Sequence, residues 1–144
     1  MSSIANTKSL LTKIASEGLK VSDVEKEVYR IGYLANEFGV SLRTLRFYED
    51  RGLISPERSG STRLYSSDDR ARLKVILLAK RVGFSLVDIQ ELLEIYDGKV
   101  SETGDSAIRG KFEGQLKALK AQKAEVEESI ESLETALEII DGQH

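Results

Sequence analysis

YRIGYLANEFGVSLRTLRFYEDRGLISPERSGSTRLY, residues 29–65, is the stretch whose reading decides the fold. Leu34, Ala35 and Phe38 form a short apolar helical stripe that stops at Gly39. Val40 and Ser41 restart a helix. The Ser41 hydroxyl can accept from the orphan amide three residues on, and Val40 can clasp Leu45 across the cap. That second helix is expected to run to about Asp50. Ala35 is small enough for two helices to cross closely, and Gly39 can take the positive φ that the corner needs. The segment Ile31–Tyr48 therefore fits a helix-turn-helix, with Leu45 and Tyr48 holding the second helix on the first. Its outer surface displays Arg43, Thr44, Arg46 and Phe47. A major groove accepts such hydroxyls and guanidinium groups near a helix N-terminus. Helical hairpins with Ala and Gly at these offsets also occur in proteins that never touch DNA, so the pattern alone leaves function open.

Downstream, Gly52 and Pro56 break the helix, and Leu53–Tyr65 carries Ser59-Gly60-Ser61 at its middle, which predicts a small β-hairpin. Ser66 with Asp69 is a capping box opening a helix to Val82, with Leu73, Ile76 and Leu77 inward and Gly83 ending it. Ser85 with Asp88 is a second capping box, and Phe84 against Ile89 a second hydrophobic staple, so another helix runs to about Asp97. Upstream, residues 1–28 scatter Ile4, Leu10, Leu11, Ile14, Val21, Val24 and Val28 among Ser, Thr and Lys, with Gly18 interrupting. They read as an extension, either a short frayed helix or disorder, with a second contact surface for DNA or a partner as the alternative.

The last third is different. Phe112, Leu119, Val126, Leu133 and Ile140 recur every seven residues, and Leu116, Lys123, Ile130 and Leu137 interleave with them. With the first set as d and the second as a, this is a coiled-coil seam. Its apolar stripe must meet another helix, and self-association is favoured over packing back on a chain whose earlier helices are already needed. Lys123 at an a position weakens pairing while restricting register and partner number. Gly110 and Gly114 each cost about 1 kcal/mol relative to Ala, so a ragged helix start is expected. The domain reading is an N-terminal extension over 1–28, a DNA-binding unit with accessory helices over 29–97, a linker over 98–105 and a dimerisation helix over 106–144.

Composition narrows the function classes. The 144 residues are 40% hydrophobic and 31% charged, enough to bury a core but charge-dense for a lone globule. Cysteine is absent, which removes disulfides, thiolate metal sites and cysteine nucleophiles. His144 is the only histidine, so a Ser/His catalytic pair has nothing to use beyond the last residue. No catalytic residue, metal or cofactor is expected. The longest apolar run, Val75–Ala79, is far short of the roughly 20 residues of a spanning helix. No basic stretch leads into an apolar block at the start, and a cytoplasmic protein, nucleoid-associated when bound to DNA, is expected. The net charge of −3 is unevenly spread. Residues 29–83 hold 11 Lys/Arg against 6 Asp/Glu, and residues 84–144 hold 6 against 14. A basic middle is what a polyanion partner requires.

The continuation of the helix-turn-helix is specific. Tyr29-x-Ile31-Gly32, the Gly39-Val40-Ser41 turn, Thr44-Leu45-Arg46-Phe47-Tyr48-Glu49, Gly52-Leu53-Ile54-x-Pro56-x-Arg58 and Arg63-x-Tyr65 closely resemble the N-terminal domain of the MerR family of bacterial transcriptional regulators. The Gly83-Phe84-Ser85-Leu86 step between the next helices matches too. The resemblance covers residues 29 to about 97, and the terminal helix in kind. It implies a mainly α fold: a winged helix-turn-helix, an accessory helix pair, and a long C-terminal helix that dimerises as an antiparallel coiled coil. Residue by residue, it places Ser41, Arg43 and Thr44 at the groove-facing start of the recognition helix. It puts Arg46 and Tyr48 at the phosphate backbone, with Arg63 and Tyr65 of the wing beside them and Arg58 helping. For Tyr48 and Tyr65, aromatic core packing is the alternative, and a ring can pack while its hydroxyl reaches out. Lys80 and Arg81 read as a solvated face.

The implied function is a homodimer that binds an inverted repeat inside a promoter with an overlong spacer. Bending and untwisting the DNA realigns the promoter elements for RNA polymerase. An architectural DNA-bending protein without an effector, or a coiled-coil interaction protein, are the competing readings. The chain departs from metal-sensing members, which carry cysteines around the dimerisation helix, and from drug-binding members, which carry a sizeable C-terminal domain. It is similar instead to short, cysteine-free members linked with amino-acid or acyl-chain catabolism. An effector would sit near Tyr96, Asp97 or Phe112.

Overall fold

Gly39 adopts φ +65° and ψ 34°, the left-handed region that L side chains avoid, and the whole recognition motif turns on it. A computed structural model describes residues 3–21, 28–100 and 104–143. In chain order the elements are α1 Ser3–Leu19, β1 Val28–Arg30, α2 Ile31–Phe38, α3 Leu42–Asp50, β2 Glu57–Ser59, β3 Thr62–Ser66, α4 Ser67–Arg81, α5 Leu86–Tyr96 and α6 Gly104–Asp141. α2 ends on Gly39, and Val40 N–H donates back to the Ala35 carbonyl at 3.0 Å. α3 starts on Ser41, whose Oγ accepts from Thr44 N–H at 3.0 Å. Leu34 and Leu45 are wholly buried between the two helices.

The wing is a three-stranded antiparallel sheet in the order β1-β3-β2. The β2–β3 turn places Gly60 at φ +64°, and Arg58 pairs with Arg63 across it. β1 is an addition to the expected hairpin: Tyr29, read as the opening of the domain, pairs with Tyr65. A three-residue strand has too little alternation to be visible as a period in sequence. Both expected capping boxes are formed, Ser66 with Asp69 on α4 and Ser85 with Asp88 on α5. Leu73, Ile76, Ala79, Leu92 and Leu93 bury the faces along which α4 and α5 pack.

Residues 1–28 do not behave as a frayed or disordered extension over the described part. α1 is a 17-residue helix packed on α4 and α5. Its inward face is small and polar, with Thr7, Ala15 and Ser16 buried beside Leu11. Such a face has a low hydrophobic signal, which is why the sequence pattern does not announce it. Lys74 of α4 is wholly buried, and its ammonium donates to Ser16 Oγ at 2.7 Å. Arg81 Nη1 donates to the Gly18 carbonyl at 3.0 Å.

The chain divides into two units, one running to Ile108 and the other from Arg109 onward. The boundary thus falls inside α6 and not in the expected 98–105 linker. The reason is local: Gly104, Ala107 and Ile108 are buried in the first unit. Gly104 is required there because a Cβ would overlap the Thr7 side chain of α1. In the second unit α6 is continuous through Gly110 and Gly114, so the ragged start is not observed.

Gly104→Val is expected to cost about 1–3 kcal/mol of stability through this overlap. The same substitution in a Thr7→Ala background should cost less, read as the midpoint of urea unfolding.

Candidate nucleic-acid interface

α3 advances by 100° per residue, so burying Leu45 and Tyr48 turns Arg43, Arg46, Phe47 and Asp50 outward. All four are exposed. The guanidinium groups of Arg43 and Arg46 have no ion-pair partner among the described residues. Ser41 and Thr44 hold the start of the helix, their hydroxyl oxygens 2.9 Å apart. Around the turn, Gly32, Ala35, Asn36, Gly39, Val40, Ser41 and Leu42 line a shallow concavity of about 520 Å³. Phe47, expected on the outer surface but given no role there, and Arg51, absent from the expected site, belong to this surface: Phe47 is 43% exposed and the Arg51 guanidinium lies 5.0 Å from its ring centre. The helical wheel carries that signal for Phe47 once Leu45 and Tyr48 are fixed as inward.

The wing arginines are arranged differently from the helix ones. Glu49 at the end of α3 accepts from Arg63 Nε at 2.8 Å and from Arg58 Nη2 at 3.1 Å. One carboxylate thus ties both β2 and β3 to the recognition helix. Arg58 keeps half of its side chain exposed (51%), whereas Arg63 is mostly covered (22%). The partners lie 9 and 14 residues from Glu49, beyond any local pattern.

Tyr48 and Tyr65 lie inward. The rings are 3% and 1% exposed, and both hydroxyls are buried without a hydrogen-bond partner. Neither hydroxyl reaches outward in this structure; the core-packing reading describes both. β1 supplies the reason for Tyr65, since Tyr29 lies across the sheet from it and closes that face. Burial holds both phenols protonated. Desolvation raises Tyr48, and Tyr65 is pushed up to about 12, by burial first and then by the Glu49 charge.

Two of the three residues named for an effector, Tyr96 and Asp97, are also occupied. Tyr96 is buried, its hydroxyl donates to Asp68 at 2.8 Å, and Asp97 accepts from Arg72. Burial, together with the Asp68 hydrogen bond, keeps the Tyr96 phenol protonated well above its ordinary range. In the second unit, Leu116, Leu119, Val126, Ile130, Leu133, Leu137 and Ile140 stand 38–66% exposed along one stripe, and Lys123 sits among them with its side chain 78% exposed. Phe112, the first expected seam residue, is only half-exposed. No cluster of three or more His, Asp or Glu able to hold a metal occurs among the described residues.

Residues 29–95 match the family model of the MerR helix-turn-helix regulatory protein, and residues 70–141, half of the chain, match the MerR DNA-binding model. The chain belongs to the MerR family. The mercuric resistance operon regulatory protein of Shigella flexneri is 40% identical over 85 residues, 58% of this chain and 59% of that protein. The HTH-type transcriptional regulator ZntR of Escherichia coli K12 is 44% identical over 70 residues, 47% of this chain and 50% of that one. The chain therefore spans little more than half the length of these curated relatives. Among solved structures, the N-terminal part of MtaN, the Bacillus subtilis multidrug transporter activator, superposes with a TM-score of 0.61 at 31% identity, covering 76% of this chain and 97% of that one. HiNmlR, a MerR family regulator lacking the sensor domain and solved on promoter DNA, gives 0.56 at 28%, covering 72% and 79%. The mainly helical winged helix-turn-helix with a long C-terminal helix is the fold of these MerR structures. No helix among the described residues is long and apolar enough to cross a membrane.

A phenol whose pKa is higher folded than unfolded lends stability that is complete below the unfolded value near 10 and is lost as pH climbs toward the folded one. Tyr65→Phe should therefore flatten part of the fall in unfolding free energy between pH 10 and 12. At pH 7 it should change stability by less than about 1 kcal/mol, because no hydrogen bond is lost. Chemical denaturation across that pH range checks both.

Proposed function

We propose that this MerR-family chain is a sequence-specific DNA-binding transcription regulator and not an enzyme, working in the cytoplasm as a homodimer. Its site is an inverted repeat in a promoter spacer. The observation that carries this reading is the outward face of α3, where Arg43 and Arg46 stand exposed and unpaired beside the Ser41 cap. Two uncommitted guanidinium groups on a helix held from behind by Leu45 suit a groove lined by phosphates and base acceptors. In this role Arg43, with Ser41 and Thr44, reads base edges, and Arg46 takes a phosphate. Arg58 and Arg63 approach the backbone from the wing as a pair fixed by Glu49. Tyr48 and Tyr65 serve by holding α3 and β3 in place. The solved promoter complex of HiNmlR supports the mode of binding by kinship.

Dimerisation through the α6 stripe supplies the two-fold symmetry of the repeat, and bending and untwisting of the spacer brings promoter elements into register for RNA polymerase. Phe112, Leu116, Leu119, Lys123, Val126, Ile130, Leu133, Leu137 and Ile140 are assigned to that interface, Phe112 at its margin.

Titration of a fragment from the DNA upstream of the chain's own gene, across a salt series, tests the reading. Affinity should fall steeply with salt. Arg46→Ala should weaken binding on every sequence and lower the salt slope by about one, whereas Arg43→Ala should cost about 1–3 kcal/mol and also relax base preference. Binding indifferent to salt, or equal sequence-independent losses from both substitutions, would remove the assignment. For assembly, charging Ile130 and Leu133 together should abolish the dimer in sedimentation; an unchanged dimer places the interface elsewhere.

A further inference from the structure

The proposed function leaves α1 without a task. The helix lies outside the residues that either family model matches, 29–95 and 70–141. It runs alongside α4 in the same direction, with Lys8 beside Asp68 at the start of that helix and Gly18 against Leu78 near its end. Two neighbouring side chains of α1 reach further. Lys8 Nζ stands 5.1 Å from the ring centre of Tyr96, the last residue of α5. Thr7 is buried and fills the space that a Cβ would need at Gly104, the first residue of α6. Consecutive residues of α1 thus touch the end of one helix and the beginning of the next.

We propose that α1 is a strap that closes the step from α5 to α6 and opens as a unit. Three of its attachments are of a kind that water can replace. Lys8 lies 3.8 Å from Asp68 Oδ1 with both side chains partly exposed, and such pairs add little stability. Midway, the Lys74 ammonium donates to Ser16, and at the far end Arg81 donates to the exposed Gly18 carbonyl. The hydrocarbon that holds the strap down is Leu11 and Ala15, wholly buried, with Leu10, Ile14 and Leu19 half-covered. Opening gives up that burial but returns an amine, a guanidinium and several hydroxyls to solvent. Because Thr7 and Lys8 sit on one turn, the same movement releases Gly104 and Tyr96 together.

The closed strap also bears on the recognition helix through the end of α5. The Arg72 guanidinium lies 5.6 Å from the Tyr96 ring centre and is accepted by Asp97. Its Nε donates to the Leu53 carbonyl at 2.9 Å, just beyond the end of α3. While the strap is closed, the first turn of α6 and the corner behind α3 are therefore both tied to the end of α5. A recognition helix on a looser frame loses more freedom when it enters a groove. This last step rests on the DNA-binding role proposed above; the strap itself does not.

Hydrogen exchange on the full chain, read residue by residue by NMR, tests the strap. Leu11→Ala should speed exchange by at least about tenfold along α1. Exchange at Ala107 and Ile108, which the first unit buries, should rise with it, while α3 keeps its rate. Ser16→Ala with Lys74→Met replaces both partners of a buried polar contact by apolar groups, and should slow exchange at the same two places. Rates that change along α1 and not at Ala107 and Ile108 would mean that α1 straps nothing. Rates that change through the whole first unit together would mean that it does not open by itself. Either result overturns the inference. On the DNA upstream of the chain's own gene, Leu11→Ala should bind several-fold more weakly although the outer face of α3 is untouched. Equal affinity would overturn the tie to the recognition helix. A wild-type chain that ignores that DNA would overturn the DNA-binding role and leave the exchange result standing.

Discussion

The winged motif is organised around one buried ion pair. Arg70 of α4 is 1% exposed and grips Glu37 of α2 through two parallel hydrogen bonds, Nε to Oε1 at 3.0 Å and Nη2 to Oε2 at 2.7 Å. The Tyr29 and Phe38 rings lie 5.6 and 5.5 Å from its guanidinium carbon. One side chain thereby fixes α4 against α2 and against the first strand of the wing. Such a pair adds little net stability over hydrocarbon of the same shape, because Arg70 is wholly and Glu37 mostly withdrawn from water. What it contributes is geometry: the planar fork accepts a carboxylate in one orientation. α2 cannot rotate about its axis without leaving a charge unpaired in the core, so the angle at which α3 is offered to a groove is set from behind.

The same accounting changes the meaning of the basic middle segment. Of its cations, Arg70 is spent on Glu37, Arg72 on Asp97, Arg58 and Arg63 on Glu49, and Lys74 is buried against Ser16. A formal surplus counted along the chain is a blunt measure, because paired and buried cations contribute little to the external field. The relevant quantity is which cations remain uncommitted and where. On the recognition helix these are Arg43 and Arg46, one helical turn apart on the exposed face.

The helix-turn-helix, both capping boxes, the hairpin and the heptads were legible because each is a local rule: a cap is read three residues away and a periodic face within two turns. The features that escaped are non-local or weakly patterned. Glu49 reaching to two strands, Arg70 reaching across 33 residues and the three-residue β1 leave no periodic trace. α1 escaped because its buried face is built from Thr7, Ala15 and Ser16, residues that a hydrophobicity pattern ignores. The tyrosines show a different limit. Family likeness marks Tyr48 and Tyr65 for the phosphate backbone, and only the packed structure shows that both side chains lie buried with their hydroxyls.

Lys74 has a consequence for the order in which the first unit comes apart. Its ammonium is hidden by a helix that lies outside the family-matched residues 29–141 and leans on α4 through small side chains. Lifting α1 away would uncover Leu11, Ala15 and the Leu78 side chain against Gly18, but it would also rehydrate an amine and several hydroxyls, a recovery of solvation that most core openings lack. The amino-terminal helix is accordingly expected to be the leaf that detaches first, ahead of the winged body. Amide protons along α1 would trade with solvent ahead of those of the helix beneath it.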